Sequence, residues 1–170
     1  MTANDDLQLL LARDIAGLPN QEALQHIGLL IDASSDAQSS QGTDRAFEML
    51  DQIQSRSLPQ DVAALAHYFR ANAWESRRLS RTDRDAWTWE QPEAQEQILD
   101  LRRAINHAGF AQLDSIRQCQ ILTNLANQLN TIGRFVEAVD EQRARCLIEP
   151  LMKIGLIQIP IEPAGEMSKV

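Results

Sequence analysis

The chain has 170 residues and a formal net charge of −8, enough length for one ordinary domain or a short array with a real core. No apolar run reaches the roughly 18 residues that span a bilayer, and the acidic start MTANDDLQ lacks the basic and apolar regions of a signal peptide, so a cytoplasmic protein away from membranes is expected. The first 66 residues carry 10 acids against 3 arginines, which argues against nucleic-acid binding and leaves either a solvated acidic surface or a basic partner.

Ala, Leu, Gln, Glu and Arg dominate, and only 7 Gly and 6 Pro punctuate the chain, which predicts an all-α fold. A leading helix is expected over 5–16, capped by Asp5 or Asp6, with Leu7, Leu10, Leu11 and Ile15 along one face. Gly17-Leu18-Pro19-Asn20 breaks it. Asn20 then caps a helix that turns Ala23, Leu24, Ile27, Leu30 and Ile31 inward. The serine-rich stretch 34–42 reads as a polar loop. Thr43 or Asp44 caps a further helix carrying Ala46, Phe47, Leu50 and Ile53, which Leu58-Pro59 ends. Together these form a first hairpin over 20–58.

Asp61 opens a longer helix, followed by a loop that holds Trp87 and Trp89. Pro92 suits the first turn of a partner helix with Ala94, Ile98, Leu101 and Ile105 inward, and Gly109 ends it. This gives a second hairpin over 60–108. Over 113–132, Leu122, Leu125, Ala126 and Leu129 share a face, and Gly133 supplies a left-handed stop. Phe135, Ala138 and Val139 start another helix that Pro150 closes, for a third hairpin over 113–150. About seven helices result, one leading and three pairs. The Ile-rich tail 151–170, broken by Gly155, Pro160 and Pro163, is expected to pack back on the last hairpin or to mediate self-association.

Residues Leu122, Leu125, Ala126, Leu129, Gly133, Phe135, Ala138 and Pro150, with the run Asn124-Leu125-Ala126-Asn127, carry a resemblance to the tetratricopeptide repeat. Gln142 and Arg145 depart from it, standing where that family has an aromatic and a small residue. Leu24, Ile27, Gly28 and Ile31 repeat the same order, and Ala71, Asn72 and Trp74 align with Ala126, Asn127 and Leu129. The resemblance implies antiparallel hairpins stacked as a right-handed superhelix over 1–150, acting as a protein-interaction scaffold. Members bind peptides on the concave face, through the first helix of each hairpin. Here that implies Tyr68, Asn72, Glu75 and Ser76 on one repeat, and Gln120, Thr123, Asn127, Asn130 and Thr131 on the next. Asn72 and Asn127 match asparagines that hold a peptide backbone or carboxylate in chaperone-binding members. Tyr68 and Thr123 replace the lysines of that clamp, so a neutral or basic peptide is the expected ligand.

Trp87 and Trp89, beside Arg77, Arg78, Arg81 and Arg84, are either a binding hot spot or a plug over the helices. His26, His67 and His107 are the only histidines. Arg102 and His107 have the arginine-four-residues-histidine spacing of HEPN-type ribonucleases, which implies as an alternative a small ribonuclease dimer with His107 as acid or base. The WTWEQPE loop, LRRAI and CQILTNLANQLNTIGRF also resemble repeat regions that precede HEPN-like domains in bacterial proteins. That would make the chain a truncated repeat region of such a protein. No phosphate loop, HExxH or Cys-His spacing is present, so no catalytic residue, metal or cofactor is expected. Cys119 and Cys146 stand alone and are expected to be free thiols.

Overall fold

The structure, a computed structural model, describes residues 3–81 and 87–138. The expected second helix of the last hairpin beyond Ala138, its Gln142, Arg145 and Pro150, and the tail 151–170 lie outside the described residues, as do residues 82–86 of the tryptophan loop. Among the described residues every regular element is helical. Six helices have ten or more residues: α1 (Ala3–Ala12), α2 (Asn20–Asp36), α3 (Ser40–Gln54), α4 (Gln60–Ser80), α5 (Pro92–Asn106) and α6 (Ser115–Thr131). A single helical turn, α7 (Phe135–Ala138), follows, and short 3-10 turns span Thr88–Glu90 and Phe110–Gln112. Among the described residues no helix is long and apolar enough to cross a membrane.

The amphipathic spacing works out directly on α2, α3 and α5. Leu24, Ile27, Leu30 and Ile31 are buried on α2, Ala46, Leu50 and Ile53 on α3, and Ala94, Ile98 and Leu101 on α5. Each large one contributes about 1.5–3 kcal/mol by leaving water. α4 is different, because α2, α3 and α5 all pack on it. It accommodates three neighbours with small residues: Ala64, Ala66, Ala71 and Ala73 are fully buried. Ala66 and Ala73 join the cluster built by α1, α2 and α3, while Tyr68 and Ala71 join a second cluster with Leu101, Ala104 and Ile121. One helix thus serves two cores on different faces.

Several expected boundaries shift, each for a local reason. α1 stops at Ala12, and Ile15 is buried beyond the helix rather than within it. Asn20 caps nothing; α2 begins there after Pro19, and Asn20 Oδ1 accepts from Arg56 Nη1. Arg56 also donates to the carbonyls of Ile15 (2.8 Å) and Leu18 (3.0 Å), pinning the α1–α2 connection from the end of α3. Stretch 34–42 is not a loop. α2 runs through Asp36 and α3 starts at Ser40, leaving a connection of only 37–39, in which Gln38 takes φ 49°. Ser34 and Gly42 fit there because they are small. Ser34 is buried and donates back to the Leu30 carbonyl, and a Cβ on Gly42 would lie 2.1 Å from Ser34 Oγ. Ser39, not Thr43 or Asp44, caps α3, its Oγ accepting from Gly42 N.

Pro92 does occupy the first turn of α5. Gly133 takes φ 78° and closes α6 with the paired bonds of a Schellman end: Gly133 N–H donates to Asn130 O and Arg134 N–H to Leu129 O. Gly109 acts by proximity instead. A Cβ there would meet the Gln60 carbonyl oxygen at 1.9 Å, against backbone at the start of α4 that cannot swing aside. Gly109→Ala is expected to cost about 2–3 kcal/mol, the upper range for overpacking, read as a lowered urea midpoint. An unchanged midpoint would mean that this contact yields.

Candidate functional site

A hollow of about 400 Å³ lies between α2, α4 and α6. α2 gives one stripe of it at helical spacing, Gln21, Leu24, Gln25, Gly28, Leu29 and Asp32. That stripe is set by the opposite commitment of Ala23, Ile27, Leu30 and Ile31 to the core. α4 contributes Leu65 and Phe69, one turn apart, and α6 contributes Arg117. Asp114 fixes where α6 begins, its Oδ1 accepting from Arg117 N–H at 2.8 Å. Arg117 therefore projects from the first turn.

The Arg117 guanidinium lies 5.8 Å from the Tyr68 ring centre and 6.0 Å from that of Phe69. Its Nη1 donates to Gln120 Oε1 at 3.0 Å. Arg70, Arg77, Arg78, Arg81, Arg102 and Arg103 each have a carboxylate within 4.0 Å; Arg117 has none among the described residues. Leu29 is 54 % exposed although apolar. On the same helix, burial and then the neighbouring Asp36 push the Asp32 carboxyl above its usual range. The lining thus combines an apolar strip, two amide side chains, one acid and one cation. It contains no nucleophile–base pair. Such a lining suits an extended polypeptide: apolar side chains against Leu29, Leu65 and Phe69, and main-chain groups against Gln21 and Gln25.

The residues expected on a concave face divide. Gln120, Thr123, Asn127, Asn130 and Thr131 are all exposed on α6. On α4, Tyr68 is only 6 % exposed and belongs to the second core cluster, with Asn124 Nδ2 donating to its hydroxyl at 3.5 Å. Ser76 is buried against Thr43, hydroxyl to hydroxyl at 3.1 Å. Asn72 is half-buried, its Oδ1 out of water without a hydrogen-bond partner, and Glu75 pairs with Arg78. The stripe of α4 that opens into the hollow is Leu65–Phe69, displaced around the helix from Tyr68–Asn72–Glu75. Periodicity alone could not separate these faces, because α4 has packed neighbours on several sides. Phe69 and Arg117 were legible only as a large apolar residue and a first-turn cation.

Trp87 and Trp89 are not a plug. Their rings stack on one another, 4.8 Å between centres and 8° from parallel, and stay 65 % and 49 % exposed. The 3-10 turn at Thr88–Glu90 presents them together, with Glu90 Oε2 accepting from Trp87 N–H and Gln95 Nε2 donating to the Trp89 carbonyl. Arg102 donates to Glu137 of α7 at 2.8 Å. His107 accepts at Nδ1 from Gly109 N–H, and its ring lies 6.2 Å from that of His67. The two members of the ribonuclease-like spacing therefore have separate partners.

The α4–α5 seam holds a polar centre that no local motif announces. Asp100 is 1 % exposed. It accepts from Trp74 Nε1 (3.1 Å) and Arg103 Nη1 (2.9 Å), and His67 Nδ1 and Arg70 Nε approach to 3.5 and 3.9 Å. Burial pushes its carboxyl up, but the contacts from His67, Arg103 and Trp74 outweigh that and hold it below the usual carboxylate range. Among the described residues no group of three or more His, Cys, Asp or Glu is placed to hold a metal ion. No family model, curated protein or solved structure matches the chain.

Proposed function

We propose that the chain is a non-enzymatic protein-interaction scaffold that holds an extended segment of a partner in the hollow between α2, α4 and α6. In this reading α2–α3, α4–α5 and α6 with the chain after Gly133 are tetratricopeptide-like hairpins stacked in a right-handed curve, behind the leading helix α1. The carrying observation is that, among the described residues, the first helices α2, α4 and α6 line the hollow and the second helices do not. A scaffold of stacked hairpins has that geometry, because each pair buries its second helix on the outer side and leaves the first facing inward. The exposed Leu29 and Arg117, which has no carboxylate partner among the described residues, support the same reading, since both gain from being covered.

The test blocks the hollow without touching the core. Random peptides displayed on phage are selected against the full chain, then measured against Gln25→Trp, which fills the mouth, and Gln52→Trp on exposed α3. Selected peptides are expected to bind the chain and Gln52→Trp alike and to lose Gln25→Trp. Failure to enrich any peptide, or equal binding to all three proteins, would overturn the proposal.

A further inference from the structure

The hollow is charged in a way that specifies its ligand. On its α2 wall Asp32 has no cation within ion-pair distance among the described residues, and Asp36, one turn on, adds repulsion. Toward α6, Arg117 has spent one N–H on Gln120 and rests on two aromatic faces, with no carboxylate within ion-pair distance among the described residues. Arginine carries five N–H donors in a planar fork, and among the described residues Gln120 engages one of them. Leu29, Leu65 and Phe69 line the same hollow. Elsewhere on α4 and α5 opposite charges have found one another within the chain, as Arg77 has Asp44 and Arg70 has Asp51. Among the described residues the hollow keeps one of each sign without an ion-pair partner.

Resting on the scaffold reading above, we infer that the partner segment carries a basic side chain for Asp32 and an acidic side chain for Arg117, flanking an apolar residue that sits on Leu29 and Phe69. A purely anionic segment would meet Asp32 and Asp36. It would also approach the first 66 residues, with 10 acids and 3 arginines, whose field favours a basic approach. A purely cationic segment would leave Arg117 unanswered and oppose it. A segment with both signs satisfies both walls, and the order of its charges fixes which way the segment runs. Recognition is therefore directional, set by side chains rather than by a free chain end.

The displayed-peptide selection reads this separately from the scaffold proposal. Peptides blocked by Gln25→Trp are expected to share a Lys or Arg and an Asp or Glu on either side of an apolar residue. Asp32→Lys should weaken them by about fivefold, the upper range for a solvent-exposed pair, and a peptide with its basic residue changed to Glu should recover binding to Asp32→Lys. Arg117→Glu should show the mirror-image pattern with the acidic residue of the peptide. Peptides that Gln25→Trp blocks but that lack the two charges, or that ignore both reversals, sink this inference and leave the scaffold standing. If nothing selected is sensitive to Gln25→Trp, the scaffold reading fails and this one with it.

Discussion

Asp100→Ala is expected to be the most damaging single substitution in the α4–α5 seam, lowering unfolding free energy by about 3 kcal/mol, toward the low end for removing one partner of a buried charge pair. The carboxylate is 1 % exposed and gathers Trp74, Arg103, His67 and Arg70. Without it, Trp74 Nε1 loses its acceptor and His67 Nδ1 its 3.5 Å carboxylate contact inside a helix interface. Arg103 suffers least, because its side chain is 54 % exposed and can turn to water, which holds the figure to the low end. Asp100→Asn should cost less, since an amide oxygen still accepts from Trp74. Urea unfolding followed by tryptophan fluorescence reads all three proteins. A loss under about 1 kcal/mol for the alanine variant, the size of an exposed pair, would show that the charge is not integral to the seam.

Mild acid should loosen α1 before it disturbs the rest. His26 Nε2–H donates to the Leu10 carbonyl at 3.1 Å, linking α2 to the end of α1. Its Nδ1 is buried without a hydrogen-bond partner. Protonation would thus place a charge and an unanswered N–H in the seam that Leu7 and Ile15 seal. Burial lowers the His26 pKa below 6.5, partly countered by the Leu10 hydrogen bond, and Arg13 lowers it further. Arg13 and the pinning Arg56 are both cations, and Asp14 is engaged with Ala16 N–H. The folded state therefore binds fewer protons than the unfolded chain. Its stability is complete above pH 6.5 and falls as pH drops through the lower folded value. Asp100 acts in a separate window: its depressed pKa keeps its contribution intact above 3.8, to be lost only as pH falls through the folded value.

Hydrogen-exchange protection factors of α1 are the readout. They should drop between neutral pH and about pH 5, the span over which histidine titrates, while α4 and α5 hold. His26→Gln keeps a donor for Leu10 and removes the titration, so its α1 protection should be flat over that span. A wild-type chain with flat protection, or a glutamine variant with the same loss, would remove His26 from the account.

What was legible in advance was whatever a single helix decides by itself. α2, α3 and α5 each bury one face, so their three-and-four spacing named Leu24, Ile27, Leu50, Ile53, Ile98 and Leu101 as core, and they are buried. Pro92 and Gly133 were legible because their backbone chemistry acts within one turn. The serine-rich stretch misled because loops and close helix crossings both favour small residues. Only the approach of Gly42 to Ser34 distinguishes them. Tyr68 and Ser76 were expected at a surface and are buried, because α4 has no single inner face once three helices lie on it.

The sequence by itself therefore determined an all-helical chain, the approximate spans of its helices and where α6 stops, since propensity, amphipathic period and capping are settled between residues a few positions apart. The tertiary structure alone decided which side of α4 opens into a hollow, that Asp100 would be a buried charge contacted by Trp74 and His67, and that Arg117 and Asp32 would line the same groove. Those outcomes depend on residues tens of positions apart. Their distances are set by how helices pack on one another, and no local pattern in the chain encodes that.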